Sequence, residues 1–487
     1  MSLTVHRLLS ARMHALCLLL LCVVWPVFAR SSSRPASQES QSTPSLQRSD
    51  LELLAKVSET AMQERVRQFV ALGPRMGGTR SGKRAADARV EAFESMKLPV
   101  RVIEGPERLC HEESEWTVVA KPKAGDAWQL ESPWPWGFSP SAKGKVALST
   151  TETDDQALLL ERRPRGRIRK SPAVVLYDGE TTKDGSYPVV RHLRSRVDNP
   201  YPVFGISSAE GERLRAQLAE GEVELSFDLT AEIKKAPPLT VVASLAARAG
   251  AKPGYLLFCA HGDSDAGGPG ANDNGSGEAI VLEIARVLAE GVAQGTISAP
   301  AMEVRFAIWG SEIFSTRHFL TDVVAKDPDP ILGVINYDQS GFGTGQNQLN
   351  MEPDDLPANR ELIKLLAGCL ESADGEHGLP ERWATNKSLG GTDSYVFSSS
   401  DLFEEKGLPS ITIFISAWDK AEEHPRTPNT PGESWSDRDK VHVDYDLYYH
   451  SAGDTPENTT DTEAWNMGWC ARLGLLAVLR ASAERED

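Results

Sequence analysis

Apolar runs of strand length recur through the second half of this chain: TVVASL (240–245), YLLFCA (255–260), EVRFAIW (303–309), ILGVINYD (331–338) and SITIFI (410–415). The stretches between several of them read as helices. Glu278–Leu288 is apolar except along Glu283 and Arg286, the pattern of a helix packed on a sheet. Alternating strands and helices define an α/β fold, and such sheets bind ligands in the crevice outside the carboxyl ends of their strands.

Residues that bind divalent metals stand where these strands should end. His261 follows YLLFCA in the string HGDSDAGGPGANDNGSG, which also contains Asp273. Asp338 closes ILGVINYD, and His450 sits in YYHSAGDTPENTT. Imidazole and carboxylate are the ligand set of a zinc-like ion, and one carboxylate can bridge two ions. Each residue also has an ordinary reading. A lone histidine after a strand is often structural, and an aspartate among glycines often makes an Asx turn. Asp263, two residues beyond His261, favours the ligand reading, because a carboxylate behind a metal-bound imidazole fixes its tautomer. Gly270, Gly275 and Gly277 would let backbone come close to Asp273.

With 487 residues the chain exceeds one ordinary core, so more than one domain is expected. A net charge of −17 argues against nucleic acid and anionic membrane as partners. At the N-terminus, Arg7, Arg12 and two histidines precede the apolar run LCLLLLCVV (16–24), and Val27-Phe28-Ala29 supplies small residues for cleavage. That is the pattern of a secretory signal over 1–29. The run is shorter than the ~20 residues of a membrane span, so stable membrane insertion is not expected and the mature chain is expected to be secreted or periplasmic. Four cysteines then remain. Cys259, Cys369 and Cys470 lie in apolar stretches and read as buried thiols, and without a CxxC pair cysteine-ligated zinc is disfavoured.

Residues 30–49 are polar, without an apolar period, and read as a disordered tether. Asp50 is expected to cap a helix running toward Leu72 with a stop at Gly73-Pro74, followed by a helix over 81–96 and strands at 100–103 and 117–120. From 126 to 236 the texture changes to short β-like runs with one helix over 209–218, which reads as an inserted module between segments 50–125 and 237–487. The charged RRPRGRIRK (162–170) reads as a solvated loop.

HGDS…GANDNGSG, FAIWGSE (306–312), INYD (335–338) and YYHSAGDTPEN, in this order over about 240–460, resemble the di-zinc exopeptidase family. That family holds secreted bacterial aminopeptidases, glutamate carboxypeptidase and, as a one-zinc branch, glutaminyl cyclase. ALGPRMGGTRSG (71–82) is similar to the family's entry segment, and the insert resembles a protease-associated domain. The resemblance implies a three-layer αβα fold with a mixed central sheet and a small β-rich insert. It implies one zinc held by His261, Asp273 and Asp338, a second held by Asp273, His450 and a glutamate, and a cis peptide at Asp273–Asn274. Asp263 would support His261, and Asp393 in GGTDSYVF would take a supporting or substrate-side role.

One departure bears on activity. The family has two consecutive glutamates, a general base and then a ligand, whereas here Glu312 is followed by Ile313. Register from Phe306 and Trp309 makes Glu312 the base and leaves the second zinc short of a ligand; a shift by one would make Glu312 the ligand instead. The expected activity is hydrolysis of peptide or aminoacyl substrates with two zinc ions, or one. The alternatives are a peptidase-like binding protein and a one-zinc cyclase acting on N-terminal glutamine.

Overall fold

A computed structural model of the chain describes residues 46–163, 170–193, 200–264, 268–326, 329–343, 347–387, 391–399, 407–418, 443–444 and 446–485. The leader expected at 1–29, most of the tether expected at 30–49 and most of the charged run 162–170 lie outside the described residues.

The larger sheet has nine strands among the described residues. Its centre runs Glu303–Trp309, Tyr255–His261, Ile331–Tyr337, Ser410–Trp418, each parallel to its neighbour. Leu239–Leu245 and then Val100–Glu104 extend one side antiparallel. Asn347–Glu352 extends the other side antiparallel and carries Trp383–Thr385 parallel at its edge. The sheet is therefore mixed.

Strand Tyr255–His261 is buried along its whole length, and its alternate residues serve two different cores. Leu256, Phe258 and Ala260 pack with helices Glu59–Val70, Ser276–Ala293, Arg360–Ala373 and Trp465–Glu484. Tyr255, Leu257 and Cys259 pack on the opposite face with Phe319, Leu320 and Phe397. Apolar side chains on both faces give the three-layer αβα arrangement. The described cysteines are buried free thiols.

A second sheet, of eight strands among the described residues, has its own core, in which Val118, Ala120, Leu225 and Phe227 meet Leu214 of helix Ser208–Glu220. Glu104 pairs with Leu239 in the large sheet, and Arg108 pairs with Ala236 in the second. The chain thus leaves and re-enters the large sheet through two adjacent antiparallel segments. The second sheet begins at Arg108, ahead of the texture change at 126, and takes in the strand over 117–120.

One expectation fails locally. Asp50 does not cap a single helix running to Leu72. It lies inside helix Arg48–Leu54, where its carboxylate accepts the Gln47 N–H at 2.8 Å, and a second helix starts at Glu59 behind Ser58. Ser58 is the better N-cap, because its hydroxyl accepts the Ala61 N–H.

A buried ion cluster fixes the loops at the sheet's open end. Glu278 is fully buried; Arg89 Nε donates to its Oε2 at 2.6 Å, and Arg75 Nε lies 3.6 Å from its Oε1. The guanidiniums spend their other donors on main chain. Arg89 donates to the Gly262 carbonyl at 2.6 Å, and Arg75 to those of Pro269 and Gly270 at 2.8 and 2.7 Å. Removing one member of a buried ion pair costs about 3–5 kcal/mol, because it strands the remaining charge. Glu278→Gln is expected to lower stability by roughly that amount, read as a lower urea midpoint; an unchanged midpoint would show that the arginines do not need it.

Candidate metal centre

The parallel strands deliver side chains to one end of the sheet. His261 closes its strand, Asp338 follows Tyr337, and Glu312 lies in the turn beyond Trp309. Asp273 sits in the irregular turn Ala271–Gly275 ahead of helix Ser276–Ala293. Gly277 must be glycine here, since a Cβ would collide with the Tyr337 carbonyl and the Asn274 side chain. The peptide Asp273–Asn274 is cis, as the resemblance implied. His450 comes from the loop before Ser451.

These residues converge. His261 Nε2 lies 3.2 Å from Asp273 Oδ1 and 3.5 Å from Asp338 Oδ1. His450 Nε2 lies 3.0 Å from Asp273 Oδ2. Asp273 therefore faces a different imidazole with each oxygen, the disposition of a carboxylate shared between two ion positions. Glu312 joins on the His261 side, where ligand atoms of His261, Glu312 and Asp338 all lie within 4.8 Å of one another. Ile313, where the resemblance calls for a second glutamate, packs against the apolar cluster around Trp309 and Phe319.

Surrounding groups hold these side chains from behind. The Asp263 main-chain carbonyl is 3.0 Å from His261 Nδ1, with its carboxylate at 3.4 Å, so Nδ1 donates and Nε2 is the nitrogen presented to the site. The Asp263 carboxylate also accepts the Glu312 N–H at 2.9 Å and so joins two ligand-bearing loops. Thr392 donates to Asp338 Oδ2 at 2.8 Å. Buried Asp393 accepts the Ile313 N–H at 2.7 Å and the Thr316 hydroxyl, which places it behind the Glu312–Ile313 turn. Ile313 has φ 57°, an uncommon conformation for a β-branched residue, and this hydrogen bond helps to hold it.

Asp454 and Asp446, which the motifs did not single out as functional, organise the Asp273 turn. Asp454 accepts the N–H groups of Asn272 and Asp273 at 2.7 and 3.0 Å. Asp446 accepts from Asn272 Nδ2 at 2.8 Å and from the Tyr448 N–H at 2.7 Å. Their only signal in the sequence was a general one, acidic side chains in a loop beside a ligand.

The second sheet reaches the same place. Val190 N–H donates to the His450 carbonyl at 2.7 Å, and Ala452 N–H donates to the Pro188 carbonyl at 3.0 Å. His450 has φ 51°, so its left-handed backbone is held from the second sheet's side. A cavity of about 420 Å³ opens between the two, with Asp273, Glu312, Asp338 and His450 in its wall, and Thr182 and Lys183 from the second sheet.

The electrostatics are those of a site short of positive charge. Burial pushes Glu312 and Asp454 well above the usual carboxylate range, Asp393 up to about 7 and Asp446 up to about 6. Burial alone would depress His261, yet Asp263, Asp273 and Asp338 outweigh it and hold the imidazole well above its ordinary value. Burial likewise opposes ionisation of Asp273, but His261 and His450 overcome it and keep this carboxylate below its ordinary range. Among the described residues Asp338 Oδ1 is buried without a hydrogen-bond partner. Crowded carboxylates, an orphaned carboxylate oxygen and two imidazoles fit a divalent, zinc-like cation.

Fold and site together define an α/β protein with a carboxylate–imidazole metal centre at the carboxyl ends of its strands. Residues 240–473 match Peptidase family M28. Aminopeptidase YwaD of Bacillus subtilis (strain 168) is 26% identical over 282 residues, 53% of this chain and 56% of that protein. The chain spans about half the length of the curated relatives it matches. Among solved structures, a Peptidase M28 precursor from Shewanella amazonensis superposes with a TM-score of 0.59 at 15% identity, covering 89% of this chain and 96% of that one. A zinc aminopeptidase from Bacillus subtilis superposes with a TM-score of 0.54 at 19% identity, covering 87% and 95%. At these identities the superpositions establish the shared fold.

Groups behind metal ligands typically govern affinity by about 10–100-fold. Asp454→Asn puts an amide where two N–H donors now meet a carboxylate. Divalent-cation affinity is expected to fall by roughly that factor with the fold intact, measured by competition with a chromophoric chelator. Unchanged affinity would show that the Asp273 turn holds without Asp454.

Proposed function

We propose that this chain is an exported zinc-dependent exopeptidase of the aminopeptidase type that hydrolyses peptide or aminoacyl substrates. The observation that carries the reading is Asp273, whose two oxygens each face a different imidazole while Glu312 and Asp338 gather on the His261 side. His261, Asp273 and Asp338 would hold one ion, and Asp273 with His450 the second. When bound, zinc supplies a Lewis acid that polarises the scissile carbonyl and acidifies a water.

Glu312 then serves as general base. Its carboxylate takes the water's proton and returns it to the leaving amine. Asp263 and Asp393 hold the turn that carries it, through the Glu312 and Ile313 N–H groups. Glu312 gathers with His261 and Asp338, on the side of the first ion position, which is where a base acting on a water there would stand. Export rests on the leader pattern of the sequence; among the described residues no helix is long and apolar enough to cross a membrane. The second sheet, in sequence and position, is proposed to be a protease-associated insert.

Ile313 favours a second reading, in which the His450 side binds its ion weakly and the enzyme works with one zinc, as a cyclase of N-terminal glutamine would. Ammonia release from a peptide with N-terminal glutamine tests it directly.

Chelation of the purified protein is expected to abolish hydrolysis of aminoacyl arylamides, and added zinc to restore it. Glu312→Gln is expected to abolish turnover while metal content, measured by atomic absorption, stays at the wild-type level. Loss of metal in that variant would make Glu312 a ligand and refute its role as base.

A further inference from the structure

The turn that carries Glu312 is held from two sheets. Asp263 and Asp393, on loops of the large sheet, accept the N–H groups of Glu312 and Ile313. A third hold comes from the second sheet. Arg108 is the first residue of its long strand Arg108–Pro122. Its guanidinium donates through Nη1 to the Ser311 hydroxyl and lies over the Phe314 ring, 5.1 Å from the centroid. Arg108 therefore grips the turn one residue before Glu312 and two residues after it. A planar guanidinium can do both at once, stacking with its face while an N–H in its plane donates. The start of the turn is fixed as well. A Cβ on Gly310 would meet the backbone of Leu239, and the Gly310 N–H donates to the Thr240 hydroxyl at 3.3 Å. Ser311 is buried, and its carbonyl accepts the Ser315 N–H at 2.9 Å. Ile313, at φ 57°, holds a conformation that persists only where the surroundings impose it.

We propose that Arg108 is a positioning residue for Glu312, acting through Ser311 and Phe314, so that the second sheet sets the aim of the general base. The inference rests on the exopeptidase reading above and adds a residue to its machinery. A general base must come within about 2.6–3.2 Å of the proton it takes, and a misplacement of about 1 Å can cost on the order of 100-fold in rate. Asp263 and Asp393 fix two N–H groups in the middle of the turn, whereas Arg108 fixes the side chains on its two flanks. Its own backbone is well anchored for this. Arg108 pairs with Ala236, while Glu104 pairs with Leu239 in the large sheet, so it stands where the chain passes between the two sheets. The arginine thus has a short, paired stretch of backbone behind it and the base-bearing turn in front.

The test is a double-mutant cycle in the zinc-loaded full chain, with an aminoacyl arylamide as substrate. Arg108→Met keeps an apolar stem against Phe314 and removes the donor, and Ser311→Ala removes the acceptor. Each is expected to lower kcat roughly tenfold or more, with KM and zinc content per chain at the wild-type level. The double variant is expected to be no slower than the worse single one, because both changes remove the same contact. Arg108→Lys, which keeps a donor, is expected to recover part of the loss; should Arg108→Met fail to fold, Arg108→Lys takes its place in the cycle. An unchanged kcat in Arg108→Met, losses that multiply in the double variant, or a loss of zinc that matches the loss of rate would each overturn the proposal. If the wild type hydrolyses nothing, the exopeptidase reading fails on its own. Hydrogen exchange over residues 309–316 then decides Arg108 separately: faster exchange in both single variants supports its hold on the turn, and unchanged exchange refutes it.

Discussion

The site depends first on a charge cluster that never touches solvent. Glu278, Arg75 and Arg89 are all buried, and an unpaired charge there would be very costly. Pairing offsets much of that cost but gives no obvious stability advantage over apolar packing. What apolar residues could not supply is the remaining guanidinium N–H groups. These hold the carbonyls of Gly262, Pro269 and Gly270, one residue from His261 and three from Asp273. A backbone that must bend around a cation cannot satisfy its carbonyls in a helix or sheet, so buried arginines do it from behind.

The same economy of donors runs through the carboxylates. Asp454, Asp446, Asp393 and Asp263 all accept N–H groups, and in each case the N–H belongs to the loop that carries a ligand-type residue or its neighbour. Acidic groups thus act as templates for backbone as well as ligands. Burial first, and then the neighbouring carboxylates, push Glu312 up, and the carboxylates hold His261 up against its burial. A divalent cation held by these residues would relieve both at once, since it would take the place of the proton otherwise shared among them.

Much of this was legible in the chain because strand and ligand are contiguous. An apolar run that ends in His261 or Asp338 states both its burial and its chemistry. The helix expected over 81–96 lies within a residue of the observed Arg80–Ser95, and Glu278–Leu288 was legible through its apolar face as the middle of a longer helix, Ser276–Ala293. The arginine cluster was not, since Arg89 and Glu278 are 189 residues apart and neither sits in a pattern that names its partner. The start of the second sheet at Arg108 was hidden because its long first strand pairs with Val223–Ala236, and pairing at that distance leaves no local mark. Asp50 misled for a related reason: an acidic residue serves equally at a helix N-cap or within the first turn, and only the chain around Ser58 decides between them.

The second sheet looks, by sequence, like an accessory hung on a complete catalytic body. Its contacts argue otherwise. His450 adopts a left-handed backbone that costs non-glycine residues roughly 1–2 kcal/mol, and its carbonyl accepts the Val190 N–H from the second sheet. The excursion that makes this contact also carries Thr182 and Lys183 into the cavity wall. One rigid turn therefore does two things: it holds the loop that bears an imidazole, and it sets the boundary of the space in front of it. Because the second sheet leaves and returns through two paired strands at the edge of the large sheet, its displacement would move both together. The geometry of the candidate metal centre and the size of the cavity in front of it are in this way tied to the same few hydrogen bonds.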